Sequence, residues 1–344
     1  MKPYLTLLLL FGVIINYPVY SQTPQFDRVA FFQDTAVLNV ALITNMDKLL
    51  SVHKQNAHPI TGHFKVSFPD GSLIDNPVLL DIRGHYRMEH CYVPPIRLSF
   101  DYKDSSVFYS LKSIKLVNEC KVAKSYEQFL LKEYLAYKIF NLFTDKSFRV
   151  RLINLSFQDS AGKKKPISEY AYLMEDIKEL AKRNNCHVWK RGKRNTEETN
   201  RQQMTLIALF QYMIGNTDWA VSVNHNIKLI ATNTDSNARP YAVPYDFDYS
   251  GIVNTDYAVP DERLEIETVR QRLYRGYARN LEELNETLKI FEEKKESIFA
   301  LINNFSLLTP YSKKEMTDYL NEFYAEIKRP DQVKSIFIDN ARTN

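Results

Sequence analysis

Several features that would place a chain at once are missing from this one. It holds only three cysteines, Cys91, Cys120 and Cys186, and their spacing fits no zinc-binding pattern. No glycine-rich stretch is present that could wrap a phosphate; Asp70-Gly71 reads as one ordinary turn. Neither sign of charge dominates. The 45 Lys and Arg residues face 41 Asp and Glu residues, a net charge of +4 at pH 7, which gives no ground for a nucleic-acid partner. Basic residues gather only at Lys163–Lys165 and between Lys182 and Arg194, the latter in a polar run that reads as a solvated loop. There is no internal repeat and no low-complexity segment. The single long apolar run, Leu5–Ile15, is too short to span a bilayer.

That run follows Lys2 and precedes Val19-Tyr20-Ser21, the layout of a secretory signal peptide over residues 1–21. No cysteine follows the apolar core, so no lipoprotein anchor is expected. The mature chain is expected to begin near Gln22 and to be exported, periplasmic or extracellular, with no membrane span after cleavage. Export permits a disulfide. Cys91 and Cys120 are the preferred pair because both flank short strands that could be neighbours. What remains is long enough for one large domain or two intimately packed ones. The 22 Tyr and 20 Phe residues are spread through it, as in a well-packed globular enzyme.

Residues 22–36 read as an extended lead-in, and Ala36–Leu50 as a strand passing into a short helix. Gly62–Phe68, Asn76–Gly84, Pro94–Phe100 and Ser113–Val117 alternate in the strand manner, predicting an antiparallel sheet. Ser125 and Gln128 have the spacing of a capping box. They open a helix whose broad apolar face runs from Phe129 to Phe140 and includes Glu133. Arg149–Phe157 and Tyr170–Met174 are expected as strands around the basic turn Ala161–Lys165. Residues 187–200 form a polar connector, and Leu206–Ile214 a buried helix ended by Gly215. Amphipathic helices near Leu281–Phe305 and Lys313–Lys328 close the chain. This order predicts an α+β, bilobal protein-kinase-like fold. Its antiparallel, β-rich N-lobe with one helix covers 22–180, and a mainly helical C-lobe covers 181–344, with a catalytic hairpin at 210–251.

The chemistry concentrates between Phe210 and Gly251, in the motifs GNTDW, NHN and PYDFDYSG. Asp218 falls in the loop after the buried helix, Asn226 opens a short strand, and Asp246 leaves the next strand, Tyr241–Pro244. A hairpin folded back on itself brings the three together. Two acids and an amide oxygen at one point form a hard-oxygen site suited to Mg²⁺ or Mn²⁺ held with a polyphosphate. Asp218 would orient or deprotonate an acceptor hydroxyl, while Asn226 and Asp246 would hold the metal. Beside them, His225 reads as a hydrogen-bonded loop histidine and Trp219 as core or pocket wall. The basic segment Arg270–Arg275 reads as a helix surface or a contact for phosphate or an acidic substrate.

These motifs carry a resemblance. The sequence is similar to the secreted spore-coat kinase (CotH-like) family, and more closely to its exported bacterial relatives. The similarity rests on Arg83-Gly84, Pro94-Pro95-Ile96-Arg97, Lys115-Leu116-Val117, GNTDW with NHNI, and PYDFD-x-SG. It implies an ATP-dependent kinase with Asp218 as the catalytic-loop acid. Asn226 would be the metal-binding amide, with Asn224 its rival, and Asp246 the metal-binding acid, with Asp248 the second acid of the pair. Arg83 would lie near the phosphates. Lys115, with Arg97 as the alternative, would contact them and pair with Glu133. The strand Tyr170–Asp176, with Glu175 at its end, would meet the nucleotide base. The γ-phosphate would pass to a hydroxyl, Ser or Thr of an exported protein. Trp219 stands where ordinary protein kinases carry a basic residue. The alternatives are an inactive kinase-like module that binds nucleotide or serves surface interactions but transfers nothing, a nucleotide-sugar transferase using Asp246 and Asp248 on Mn²⁺, and nucleotidyl transfer on the same fold.

Overall fold

A computed structural model describes residues 28–51, 58–68, 70–83, 90–100, 108, 111–121 and 123–343. The signal peptide expected at 1–21, and Gly84, lie outside them. Alternating burial defines seven strands in the first half: β1 Leu38–Thr44, β2 Ile60–Ser67, β3 Leu73–Ile82, β4 Ile96–Phe100, β5 Ser113–Asn118, β6 Val150–Asp159 and β7 Ile167–Met174. Their inward residues, among them Leu42, Phe64, Leu80, Leu98, Leu116 and Leu155, are fully buried and fill one apolar cluster. Phe64 meets Phe100 and Phe108 edge-on at the centre of it, and those two rings are tilted against each other.

The strands close into a barrel in the order β1-β2-β3-β4-β5-β7-β6. This overturns the expected bilobal kinase-like fold, whose N-terminal sheet would be open and antiparallel. The closing ladder is parallel, from Leu38 opposite Ile153 to Thr44 opposite Asp159. Closure leaves neither β1 nor β6 as a free edge with unpaired backbone groups. The expected extended lead-in is partly a helix, α1 (Arg28–Gln33). Phe31 and Phe32 turn into the barrel cluster, and Arg151 donates to the Phe31 carbonyl at 2.8 Å while pairing with Asp34. A further short helix, α2 (Met46–Ser51), follows β1.

Helix α3 (Lys124–Asn141) carries the long apolar face expected of it, with Leu131, Leu135, Ala136 and Ile139 fully buried. The capping box does not form. Ala123 is the N-cap and makes no side-chain cap bond. Gln128 instead donates to Leu307 O at 3.2 Å and accepts from Thr309 N at 2.9 Å, binding α3 to the C-terminal helices. After α4 (Ile177–Arg183), β8 (Cys186–Val188), β9 (Ile227–Thr232) and β10 (Tyr241–Pro244) form a second sheet in the order β10-β9-β8. The β8 strand lies at the edge of what reads in sequence as a polar connector. Helices α5 (Arg201–Ile214), α6 (Leu281–Asn303), α7 (Pro310–Ile327) and α8 (Pro330–Lys334) complete the chain. One buried cluster runs from Val117 to Ala341, continuous across the boundary expected at residue 180. No described helix is long and apolar enough to cross a membrane.

Cys91 and Cys120 form a disulfide that closes a loop of sequence separation 29, and Cys186 is buried and unpaired. Loop-closure entropy assigns such a bridge about 3–4 kcal/mol. Replacing both cysteines by Ser is therefore expected to lower the urea midpoint and to raise the slope somewhat, because the unfolded chain is released from the cross-link. A midpoint that does not move would show the loop to be held without the bridge.

Candidate functional site

Gly215 ends α5 with φ 67°, a left-handed turn. The site also excludes a side chain, because a Cβ there would run into the Tyr319 hydroxyl. The loop that follows is pinned around Asp218. Asn216 Oδ1 accepts from Asp218 N at 3.0 Å, and Arg275 donates to the carbonyls of Thr217 and Trp219, on either side of the aspartate. Both carboxylate oxygens are held: Oδ1 faces His225 Nε2 at 2.7 Å, and Oδ2 accepts from Asn226 Nδ2 at 2.9 Å. The same amide donates to Asp218 O at 2.8 Å. Asn224, the rival for this role, lies in an exposed turn. Asn226 is the one that meets Asp218.

The β9–β10 hairpin carries the geometry onward, with Tyr245 N donating to Asn226 O at 3.0 Å. Asn226 (φ 51°) and Asp246 (φ 66°) are both left-handed. That conformation costs a non-glycine residue about 1 kcal/mol, and Asn and Asp tolerate it best. Asp246 N donates to the Tyr137 hydroxyl of α3 at 2.8 Å. Two residues on, Asp248 Oδ2 accepts from the Tyr257 hydroxyl at 3.0 Å. Glu133, also on α3, joins them. Glu133, Asp246 and Asp248 each offer an oxygen within 4.8 Å of the others. Glu133 is 4% exposed. A buried carboxylate beside two further acids is costly without positive charge among them, so this all-oxygen donor set fits Mg²⁺ or Mn²⁺. Burial first, and then the charge of Glu133, hold the Tyr137 and Tyr172 phenols well above their usual range, so both stay neutral.

Cations approach from the barrel. Lys115 projects from the outer face of β5, opposite Arg97 on β4. Its Nζ lies 4.8 Å from the centroid of the Tyr245 ring. Burial first, then the charge of Arg83, pull its pKa down to about 8; Asp246 opposes this, and Lys228 and Arg97 add to it. Four cations sharing one field beside three carboxylates suit a polyphosphate chelated to a metal. Lys228 is absent from the sequence-based selection, although strand period places it on the same side of its strand as Asn226.

Lys115 and Glu133 thus enter the site by different routes: the lysine over aromatic rings, the glutamate with the two aspartates. Glu175 is a correction. It is 3% exposed, and its carboxylate accepts from Arg183 at 2.7 and 3.1 Å and from Arg149 N at 2.7 Å. With both oxygens engaged there, the side chain is structural, and the contact with the base expected of this strand falls to its backbone.

The Lys115 value gives a pH dependence. In the absence of metal, affinity for triphosphate is expected to fall as pH rises through about 8, because the ammonium is lost. The folded value lies below the ordinary 10.5, so burial of this charge opposes folding below pH 8, and that penalty fades between 8 and 10.5. Titration by calorimetry at pH 7 and pH 9 checks the binding trend. Lys115→Met should flatten it.

On the far side of Asp218 opens a cleft of about 750 Å³, lined in part by Trp219, His225, Tyr249, Arg263 and Arg275. Compared with protein-family models and with curated proteins, the chain matches none.

Proposed function

We propose that the chain is a metal-dependent phosphotransferase that moves the γ-phosphate of ATP to a hydroxyl acceptor, Ser or Thr of an exported protein. The observation that carries this reading is the continuous linkage from Asp218 through Asn226 to Asp246. One amide holds the exposed-side aspartate, and its own strand hands the backbone on to the acidic triad. The resemblance of GNTDW and PYDFD-x-SG to the spore-coat kinase-like family supports the same roles.

In this reading Glu133, Asp246 and Asp248 would hold the divalent ion, whose charge would offset that of the bound polyphosphate. Arg83, Lys115 and Lys228 meet the phosphate oxygens from the other side. Asp218, fixed by His225 and Asn226, accepts the hydrogen bond of the incoming hydroxyl and aims its oxygen at phosphorus. The new O–P bond forms as the bond to the β–γ bridging oxygen breaks, the hydroxyl proton passes to Asp218, and ADP departs. The test is transfer of label from ATP, with the label at the γ- or at the α-position. Protein-bound label from γ-labelled ATP that requires Mg²⁺ or Mn²⁺ is the expected result. Label from the α-position would replace phosphoryl by nucleotidyl transfer, and nucleotide binding without either transfer would leave a binding module.

A further inference from the structure

The cleft beside Asp218 is furnished for something larger than a hydroxyl group. Its charged walls are Arg263, Arg275 and Arg342 against Asp218 and Asp261. Asp261 is engaged by Arg263, whose Nε lies 2.9 Å away. Arg275 is fastened to the Asp218 loop through two carbonyls. These five groups share one field: burial and Arg342 depress the Arg275 pKa most, while Asp218 and Asp261 act against them. Three guanidiniums therefore outnumber the carboxylates, one of which is the group proposed to receive the hydroxyl. Two large apolar side chains among the lining residues stand open to solvent, Val223 at 58% and Val259 at 71% exposure. Trp219 is 3% exposed, so its indole belongs to the cleft wall and is not an open stacking platform.

We propose that this cleft seats the acceptor, and that the acceptor is a polypeptide segment whose Ser or Thr is flanked by acidic side chains and an apolar residue. This rests on the phosphotransfer reading for the hydroxyl. The charge and apolar complementarity rest on the cleft alone.

Two synthetic peptides of equal length test it with the full chain, one with Ser between Glu residues and a Leu, the other with each Glu replaced by Lys. Binding is read by fluorescence anisotropy, and transfer by label from the γ-position of ATP. The Glu peptide is expected to bind, and to be labelled with kcat/KM about tenfold or more above the Lys peptide, with the gap shrinking as salt rises. The pair Arg263→Glu with Arg342→Glu should abolish or invert that preference, whereas Arg263→Lys with Arg342→Lys should keep it. The lysine pair controls for folding. Binding of the Glu peptide with this charge dependence but no transfer to it supports the cleft assignment and overturns phosphotransfer. Equal labelling of both peptides, or preference for Lys, overturns the cleft assignment and leaves phosphotransfer standing. Failure of the Glu peptide to bind overturns the cleft assignment whatever the transfer assay reads.

Discussion

Asp246→Asn is expected to lower transfer of the γ-phosphate by about 10³-fold or more, because it removes charge from the carboxylate set at the point of metal contact. Asn is the informative substitution. Asp246 has φ 66°, a left-handed conformation that Asn adopts nearly as readily as Asp, and its side chain is exposed, so the variant should fold. The backbone bond from its N–H to Tyr137 is untouched. Asp218→Asn should also lose transfer, by about 10²–10⁴-fold, but by a different route. It keeps the acidic triad, so nucleotide affinity in Mn²⁺ should be close to that of the parent chain. Calorimetric binding and label transfer on the two variants separate the roles. Equal loss of binding in both would show that Asp218 belongs to the metal set. Transfer that survives Asp246→Asn would remove the acidic triad from the chemistry.

Lys132→Met is expected to cost about 3–5 kcal/mol of stability, the usual consequence of leaving one partner of a buried pair alone. The Lys132 ammonium lies 2.9 Å from Glu315, with side-chain exposures of 3% and 15%. The pair joins α3 to α7 across a sequence separation of 183. Asn254 also donates to Glu315 at 2.9 Å and the Arg270 guanidinium lies 3.9 Å from it, so the carboxylate keeps two partners and the cost should fall towards the lower end. Removing both charges, Lys132→Met with Glu315→Leu, should recover most of the loss. Burial pushes Glu315 up, but Lys132 and Asn254 more than offset this and hold it below 4.5. Its contribution is therefore present above pH 4.5 and lost as pH falls through the lower folded value. Urea unfolding of the single and double variants at pH 7 and pH 4 checks both statements. A double variant as unstable as the single would show that the pair, and not the abandoned charge, carries the stability.

The hairpin around Asp218 and Asp246 was readable because its signals are local. Gly215 after an apolar helix, Asn226 opening an alternating run and the acids at strand ends each depend on neighbours a few residues away. The strand order was not readable in the same way. The β1 strand pairs in parallel with β6, and Leu38 meets Ile153, yet nothing in either run names the other. Alternation shows which face is apolar and says nothing about which edge is shared. An open kinase-like sheet and a closed barrel are thus equally compatible with the pattern, and pairing decided for the barrel. The α1 helix was hidden for a related reason: Phe31 and Phe32 are held by the barrel cluster, whereas six residues have little helical preference of their own.

Side-chain partners followed the same division. Ser125 and Gln128 matched a capping pattern, but Gln128 found backbone partners near residue 308 that outcompete a local cap. Glu175 looked like a site residue because it ends a strand, until Arg183 folded back over it. Glu133 was recognisable as an acid on a buried face, and only the packing of α3 beside the hairpin put it with Asp246 and Asp248. By itself, the sequence determined where the barrel strands and the long helices form and which acids and amides stand at their ends, since those follow from propensity, period and turn chemistry within a few residues. The tertiary structure alone decided that the sheet closes, that Glu133 joins the two aspartates, and that Arg83, Lys115 and Lys228 share one field. Each of these depends on contacts between segments far apart in the chain, whose distances no local pattern encodes.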